Sequence, residues 1–90
     1  MRKIETTKKY RKDFRRVLAG KADLEEILQP VLELLMTDTP LPARYRDHGL
    51  IGFEGVRDCH LKPDLILLYD KPDEDTLRLI RLGSHSELGL

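Results

Sequence analysis

Asp64-Leu65-Ile66-Leu67-Leu68-Tyr69-Asp70 is the stretch that decides the fold. Its uninterrupted apolar run suits a central strand buried on both faces. Strands flank it on either side. Phe53 to Leu61 reads as the strand before it, and Lys62-Pro63 interrupts the pattern as an edge or a bulge. Lys71-Pro72-Asp73-Glu74-Asp75 reads as a hairpin loop, and Thr76 to Gly83 as the strand after it. The three together predict an antiparallel meander.

Toward the N-terminus the period changes. Residues 2–5, around Ile4, predict a short edge strand. Thr6 or Thr7 caps a helix that ends at Gly20. Its apolar residues Tyr10, Phe14, Val17 and Leu18 fall at one helical face. Lys8, Lys12, Arg15 and Arg16 fall on the other. A second helix follows, with Leu24, Ile27, Leu28, Val31, Leu32, Leu35 and Met36 as its apolar set. Asp23 and Glu26 have the form of a capping box. Pro30 lacks the N–H that would bond four residues back, which predicts a kink or a break. Thr37 to Leu50, with Pro40, Pro42 and Gly49, reads as loop. Helices first and a meander last mean an α+β domain, with two helices packed on one face of the sheet.

Composition agrees with a single small domain spanning residues 1–90. Forty per cent of the residues are apolar and 36% are charged, too much apolar content for a disordered tail. No run approaches the roughly 18 apolar residues of a membrane span. No apolar stretch follows the basic start, so no secretory signal is expected. The single Cys59 cannot form an intrachain disulfide and fits a reducing, cytoplasmic setting.

The formal net charge is zero, from sixteen basic and sixteen acidic residues. Residues 1–21 nevertheless hold nine basic and two acidic side chains, a balance of 9 − 2 = +7, which leaves −7 for the rest. Such asymmetry points to an anionic partner for the basic segment. A solvated face is the plainer explanation of Lys8, Lys9, Arg11, Lys12, Arg15 and Arg16. The sharper one is a rail for phosphates.

All three histidines, His48, His60 and His85, lie in the second half. Asp58 and His60 are two apart and share a strand face. The turn of the meander brings Asp64 near them. Arg81 and His85 share a face if the strand stays regular. Each has an ordinary alternative: a surface histidine, a turn at Asp47-His48, or an ion pair of Asp58 with Arg57 or Lys62. Three histidines can hold a catalytic metal. The close HxH or HxxxH spacing is absent, however, and Cys59 alternates away from His60, so no metal and no cofactor are expected. Ser84-His85 is too local for a serine triad, and no Gly-rich phosphate loop is present.

Three segments then carry a resemblance. They are Tyr45-Arg46-Asp47-His48-Gly49-Leu50, Arg57-Asp58-Cys59-His60-Leu61-Lys62-Pro63-Asp64 and Arg81-Leu82-Gly83-Ser84-His85-Ser86-Glu87-Leu88. In this order and spacing the chain resembles the YafQ toxins of the RelE/ParE toxin–antitoxin superfamily. The match is strong over about residues 40–88 and follows only the pattern before that. The resemblance implies a small RelE-like fold and a ribosome-dependent, metal-independent mRNA endoribonuclease. The message's own 2′-OH would attack the adjacent phosphate, leaving a 2′,3′-cyclic phosphate and a 5′-OH. That chemistry needs a base, an acid and a cation for the transition-state charge.

Carried over by motif, the catalytic positions are His48, Asp58, His60, Asp64, Arg81 and His85. His85 would be the acid and Asp64 or His60 the base. Arg81 would stabilise charge, and His48 would hold the phosphate. Arg46 and Lys62 would join the basic helix in binding RNA. The implied partners are a DinJ/RelB-like antitoxin, the small ribosomal subunit and mRNA. Operator DNA would be met only through the antitoxin complex, and no membrane is involved. The family usually ends Leu-Phe where this chain has Leu88-Gly89-Leu90. Two alternatives fit the same sequence: a non-cleaving protein that binds the ribosome or the antitoxin, and a gyrase poison of the same superfamily, which is not expected to need a histidine cluster.

Overall fold

The computed structural model describes residues 1–90. Strand β1 (Lys3–Thr6) leads into helices α1 (Lys8–Gly20) and α2 (Leu24–Met36). A 3-10 turn at Ala43–Tyr45 precedes β2 (His48–Gly49), β3 (Arg57–Lys62), β4 (Leu65–Asp70), β5 (Thr76–Gly83) and a short helix α3 (His85–Leu88). The five strands form one sheet in the order β1-β5-β4-β3-β2. The α+β class and the meander are as the sequence predicts.

β4 is central, and Leu65, Ile66, Leu67, Leu68 and Tyr69 are all buried. Leu65, Leu67 and Tyr69 pack under the helices with Leu77, Leu79, Leu82 and the α2 residues Leu24, Leu28, Val31 and Leu35. Ile66 and Leu68 face the other way. Ile66 sits between His60 and Gly83, and Leu68 between Asp58 and Arg81. The second face of the sheet is therefore an apolar floor beneath the predicted chemical residues.

Several expectations are corrected. The sheet is mixed rather than antiparallel, because β1 pairs with β5 in parallel register, Lys3 opposite Thr76 and Thr6 opposite Leu79. The crossover through both helices makes that direction possible. The stretch read as loop from Thr37 to Leu50 contains the 3-10 turn and β2. The strand expected from Phe53 starts at Arg57, since residues 51–55 form turns with Gly52 and Gly55 at positive φ. Pro30 does not break α2. Burying Leu24, Leu28, Val31 and Leu35 is worth roughly 6–12 kcal/mol in total, against ~3 kcal/mol for an internal proline. Asp23 is the N-cap of α2 but makes no side-chain cap bond, so the capping box is absent there. Thr7 caps α1 as expected, its hydroxyl accepting from Tyr10 N–H.

One device joins the helices to the site. β1 covers the outer edge of β5 only as far as Leu79. Beyond it, α1 takes over. Thr7 Oγ1 donates to Ile80 O at 2.7 Å, Leu82 N–H donates to Asp13 Oδ2 at 3.0 Å, and Arg16 donates to Leu82 O at 3.0 Å. Backbone groups that a strand would have paired are thus satisfied by side chains.

Candidate active site

β2 and β3 place the first group. In their antiparallel ladder His48 stands directly opposite Asp58, and Asp58 and His60 alternate onto one face. A bulge between His60 and Lys62 separates the end of β3 from regular pairing, a common device beside functional sites. Asp58 is buried, at 4% exposure, and its Oδ1 has no hydrogen-bond partner. His60 Nε2 lies 3.4 Å and His48 Nε2 3.7 Å from that oxygen.

His48 has a fixed tautomer. Its Nδ1 donates to the carbonyl of Gly49 at 2.9 Å, which leaves Nε2 without the proton in the neutral ring. The segment that carries His48 is anchored from behind. Asp47 Oδ1 accepts from Tyr69 Oη at 2.6 Å and from Arg57 Nε at 3.1 Å. Tyr69 is 1% exposed, and burial raises its phenol pKa above the ordinary value, with Asp47 adding to the shift. Arg46, just before, holds a left-handed backbone at φ 48°, an uncommon conformation for a side chain of its type.

The second group comes from the β3–β4 turn and α3. Asp64 Oδ1 accepts from His85 Nδ1 at 2.6 Å and from His85 N–H at 2.9 Å. The His85 backbone N–H and ring together hold the Asp64 carboxyl below its ordinary range. A carboxylate only accepts, so the shared proton sits on His85 Nδ1 and Nε2 is free to face a substrate. α3 is fixed by a capping box: Ser84 Oγ accepts from Glu87 N–H and Glu87 Oε1 accepts from Ser84 N–H. Its end is closed by Gly89 at φ 73°, a backbone suited to glycine. The departure from Leu-Phe thus coincides with a left-handed helix stop.

The two groups meet at His60. Its ring centroid is 6.4 Å from that of His48 and 5.3 Å from that of His85. His60 also lines a cleft of about 660 Å³ with Arg44, Arg46, Lys62 and the α2 rim residues Asp23, Glu26 and Pro30. Five of the six predicted catalytic residues, His48, Asp58, His60, Asp64 and His85, are linked by these contacts. Arg81 lies in the same cross-sheet row as Asp58, two strands away. It is bound to Asp13, Nε to Oδ2 at 2.7 Å. Burial alone would raise the Asp13 carboxyl, but hydrogen bonds from Arg81, Arg16 and Leu82 N–H outweigh it and hold it below its ordinary range.

The basic helix splits. Lys8, Lys9, Lys12 and Arg15 are exposed. Arg11 bonds Thr6, while Arg16 turns inward to Asp13, Leu82 O and Glu87. Asp13 was not anticipated, although it lies three residues from Tyr10 and four from Val17, beside the apolar stripe. The donor atoms of His48, Asp58 and His60 lie within 4.8 Å of one another and can hold a metal ion. Spacing along the chain could not show this, because one donor arrives from the neighbouring strand. No helix is long and apolar enough to cross a membrane.

The chain matches, over residues 2–89, the family model described as the bacterial toxin YafQ of type II toxin–antitoxin systems. It is 40% identical to the mRNA interferase toxin YafQ of Escherichia coli K12, covering 97% of this chain and 95% of that protein. A copper-bound mutant toxin from Helicobacter pylori superposes with a TM-score of 0.91 at 42% identity, covering 98% of this chain and 99% of the other. YafQ in the E. coli DinJ–YafQ complex superposes with a TM-score of 0.86 at 36% identity, covering 98% of each chain. With the histidine–aspartate cluster on the open face of this sheet, these likenesses are decisive: the chain belongs to the YafQ family of bacterial toxins of type II toxin–antitoxin systems.

Proposed function

We propose that this toxin is an endoribonuclease that cuts mRNA on the ribosome by attack of the 2′-OH on the neighbouring phosphate. The observation that carries this is the Asp64–His85 pair standing 5.3 Å, ring to ring, from His60. Imidazole is the side chain whose ordinary pKa, about 6.5, suits it to give or take a proton near neutral pH. The mRNA interferase name of the E. coli relative supports the same chemistry.

His85 is the general acid. Asp64 orients its ring through Nδ1, and in the charged form of the ring the Nε2 proton passes to the departing 5′ oxygen. The doubly engaged Asp64 oxygen is a poor base, so of the two candidates His60 takes the proton of the 2′-OH. Asp58, buried beneath His48 and His60, places a negative charge beside both rings. His48 in its protonated form, with an N–H on both ring nitrogens, holds the phosphate, and Arg81 adds positive charge from the same face. Arg46 and Lys62, in the cleft with His60, bind flanking phosphates, and Lys8, Lys9, Lys12 and Arg15 meet rRNA backbone. No metal is needed for these steps. The E. coli DinJ–YafQ complex supports a DinJ/RelB-like antitoxin as the partner of this toxin; operator DNA would be met only through the antitoxin.

A translation extract tests the proposal. The wild-type chain is expected to yield message fragments ending in cyclic phosphate, and His85→Gln is expected to cut at least 100-fold more slowly. Stalled but intact message would favour a non-cleaving blocker, and trapped, cleaved DNA a gyrase poison. Unchanged cutting by His85→Gln would remove His85 from its role.

A further inference from the structure

We infer that Arg16 is a positioning residue for the general acid: through Glu87 it fixes the one-turn helix α3, and so the direction in which His85 presents Nε2. The role in catalysis rests on the function proposed above; the fixing of His85 does not.

A single helical turn has little stability of its own, because nucleation is unfavourable. α3 has four residues, begins at His85 and buries none of them. The core therefore does not hold it, and polar ties from other elements do. Asp64 makes one, at the His85 ring and backbone N–H. Arg16 makes the other, from α1. Its Nε lies 2.9 Å from Glu87 Oε2, its Nη1 donates to Asp13 Oδ1 at 2.7 Å, and its Nη2 donates to Leu82 O at 3.0 Å. Each nitrogen of the guanidinium thus meets a different element: α3, α1 and β5. A planar, preorganised fork engaged at every nitrogen acts as a strut between them.

Glu87 divides its two oxygens between two tasks. Oε1 accepts from Ser84 N–H at 2.8 Å and closes the capping box, while Oε2 faces Arg16. The Ser84 N–H bond, with the Arg16 charge adding to it, outweighs desolvation and holds the Glu87 carboxyl below its ordinary range. Gly83 lets the clamp close. A Cβ at that position would stand 2.8 Å from Arg16 Nη2 and 2.9 Å from Glu87 Oε1, well inside the ~3.5–4.0 Å of ordinary contact.

Periodicity groups Arg16 with Lys8, Lys12 and Arg15 on a phosphate-facing side. The structure separates it from them, since its charge is balanced by Asp13 and Glu87. Both ends of the Arg16–Glu87 pair keep 42% of their side-chain surface exposed. Such a pair adds little to global stability, so its substitutions leave the fold standing. Its effect falls on aim, where a misplacement of about 1 Å can cost about 100-fold in rate.

The experiment measures steady-state cutting on ribosomes programmed with a short message, using the full chain and its variants. Arg16→Met is expected to lower kcat about tenfold through misaimed proton transfer, with KM and the salt dependence of ribosome binding unchanged. Loss of a phosphate contact would instead raise KM and flatten the salt dependence. Glu87→Gln keeps an oxygen for the capping box and should lower kcat in the same way. Gly83→Ala leaves every charge in place, pushes the clamp open and should lower kcat too. Arg16→Met combined with Glu87→Gln should cost no more than Arg16→Met alone, because both remove the same contact. In ¹⁵N NMR spectra of the free toxin, the His85 imidazole resonances should shift in each variant while those of His48 stay in place. Unchanged kcat in Arg16→Met, a rise in KM without a fall in kcat, losses that multiply in the double variant, or unmoved His85 resonances would overturn the inference. Shifted His85 resonances in a chain that cuts no message would refute the nuclease proposal and leave Arg16 as the residue that holds His85. Cutting that depends on His85 but is indifferent to Arg16 would do the reverse.

Discussion

Replacing Asp13 by alanine tests how the helices hold the strand that leads into the site. Asp13 is 3% exposed and accepts four hydrogen bonds: from Leu82 N–H, from Arg81 Nε and Nη2, and from Arg16 Nη1. Asp13→Ala removes every acceptor at once. Leu82 is fully buried, so its stranded N–H costs about 1–3 kcal/mol. Arg81 and Arg16 keep 28% and 42% of their side-chain surface in water, so each lost ion pair adds only about 0.5–1 kcal/mol. The sum is about 3 kcal/mol. A chain of this size is stable by roughly 5–13 kcal/mol, so the loss is a large share. It lowers Tm by about 12–24 °C at ~4–8 °C per kcal/mol. Asp13→Asn keeps an oxygen for Leu82 N–H and is expected to lose only about half as much. Urea unfolding followed by circular dichroism measures both. A loss below ~1 kcal/mol for Asp13→Ala, or equal losses for the two variants, would refute the edge-pairing role argued for this carboxylate.

Acid should act on the same residue. The folded Asp13 carboxyl lies below its ordinary value of 3.8. Its contribution is therefore present above that pH and is lost as pH falls through the folded value. The stability gap between wild type and Asp13→Asn should stay level from pH 7 to about 5 and close below 3.8, as unfolding curves across pH will show. Tyr69→Phe keeps the ring in the core but removes the bond to Asp47. Its expected cost is about 1 kcal/mol, and message cleavage should fall several-fold because the segment carrying His48 loosens. Equal cleavage by both forms would argue against that anchoring. Finally, ribosome association should weaken as salt is added, despite the zero net charge, because Lys8, Lys9, Lys12 and Arg15 are exposed for phosphate. Sedimentation with ribosomes at 50 and 200 mM salt measures it.

Local rules read much of this fold directly. The Leu65–Tyr69 run announced a strand covered on both sides, and the structure buries all five residues. Alternation alone placed Asp58 and His60 together, and the meander turn brought Asp64 to the same end. What escaped depends on contacts between distant segments. β1 runs parallel to β5 because two helices carry the chain across before the meander begins, and nothing in residues 2–5 records that direction. His48 reached the site through a two-residue strand, too short for any periodicity. The backbone cost of Pro30 is local to the helix, while the four buried neighbours that outweigh it belong to the core. Both Asp23-x-x-Glu26 and Ser84-x-x-Glu87 have capping-box spacing, and only the second closes. Asp13 sits among basic residues in α1; its meaning lies in Arg81 and Leu82, about seventy residues away in the chain.

Cleavage of a message carrying a single 2′-deoxynucleotide on the 5′ side of the mapped cut tests the central claim most directly, since the mechanism assigns the attack to that hydroxyl. In ribosomes programmed with this message, cutting should vanish at the substituted position and persist in the all-ribose control, whose fragments end in 2′,3′-cyclic phosphate. Cutting at the deoxy position, or control fragments that never carry a cyclic phosphate, would contradict the account.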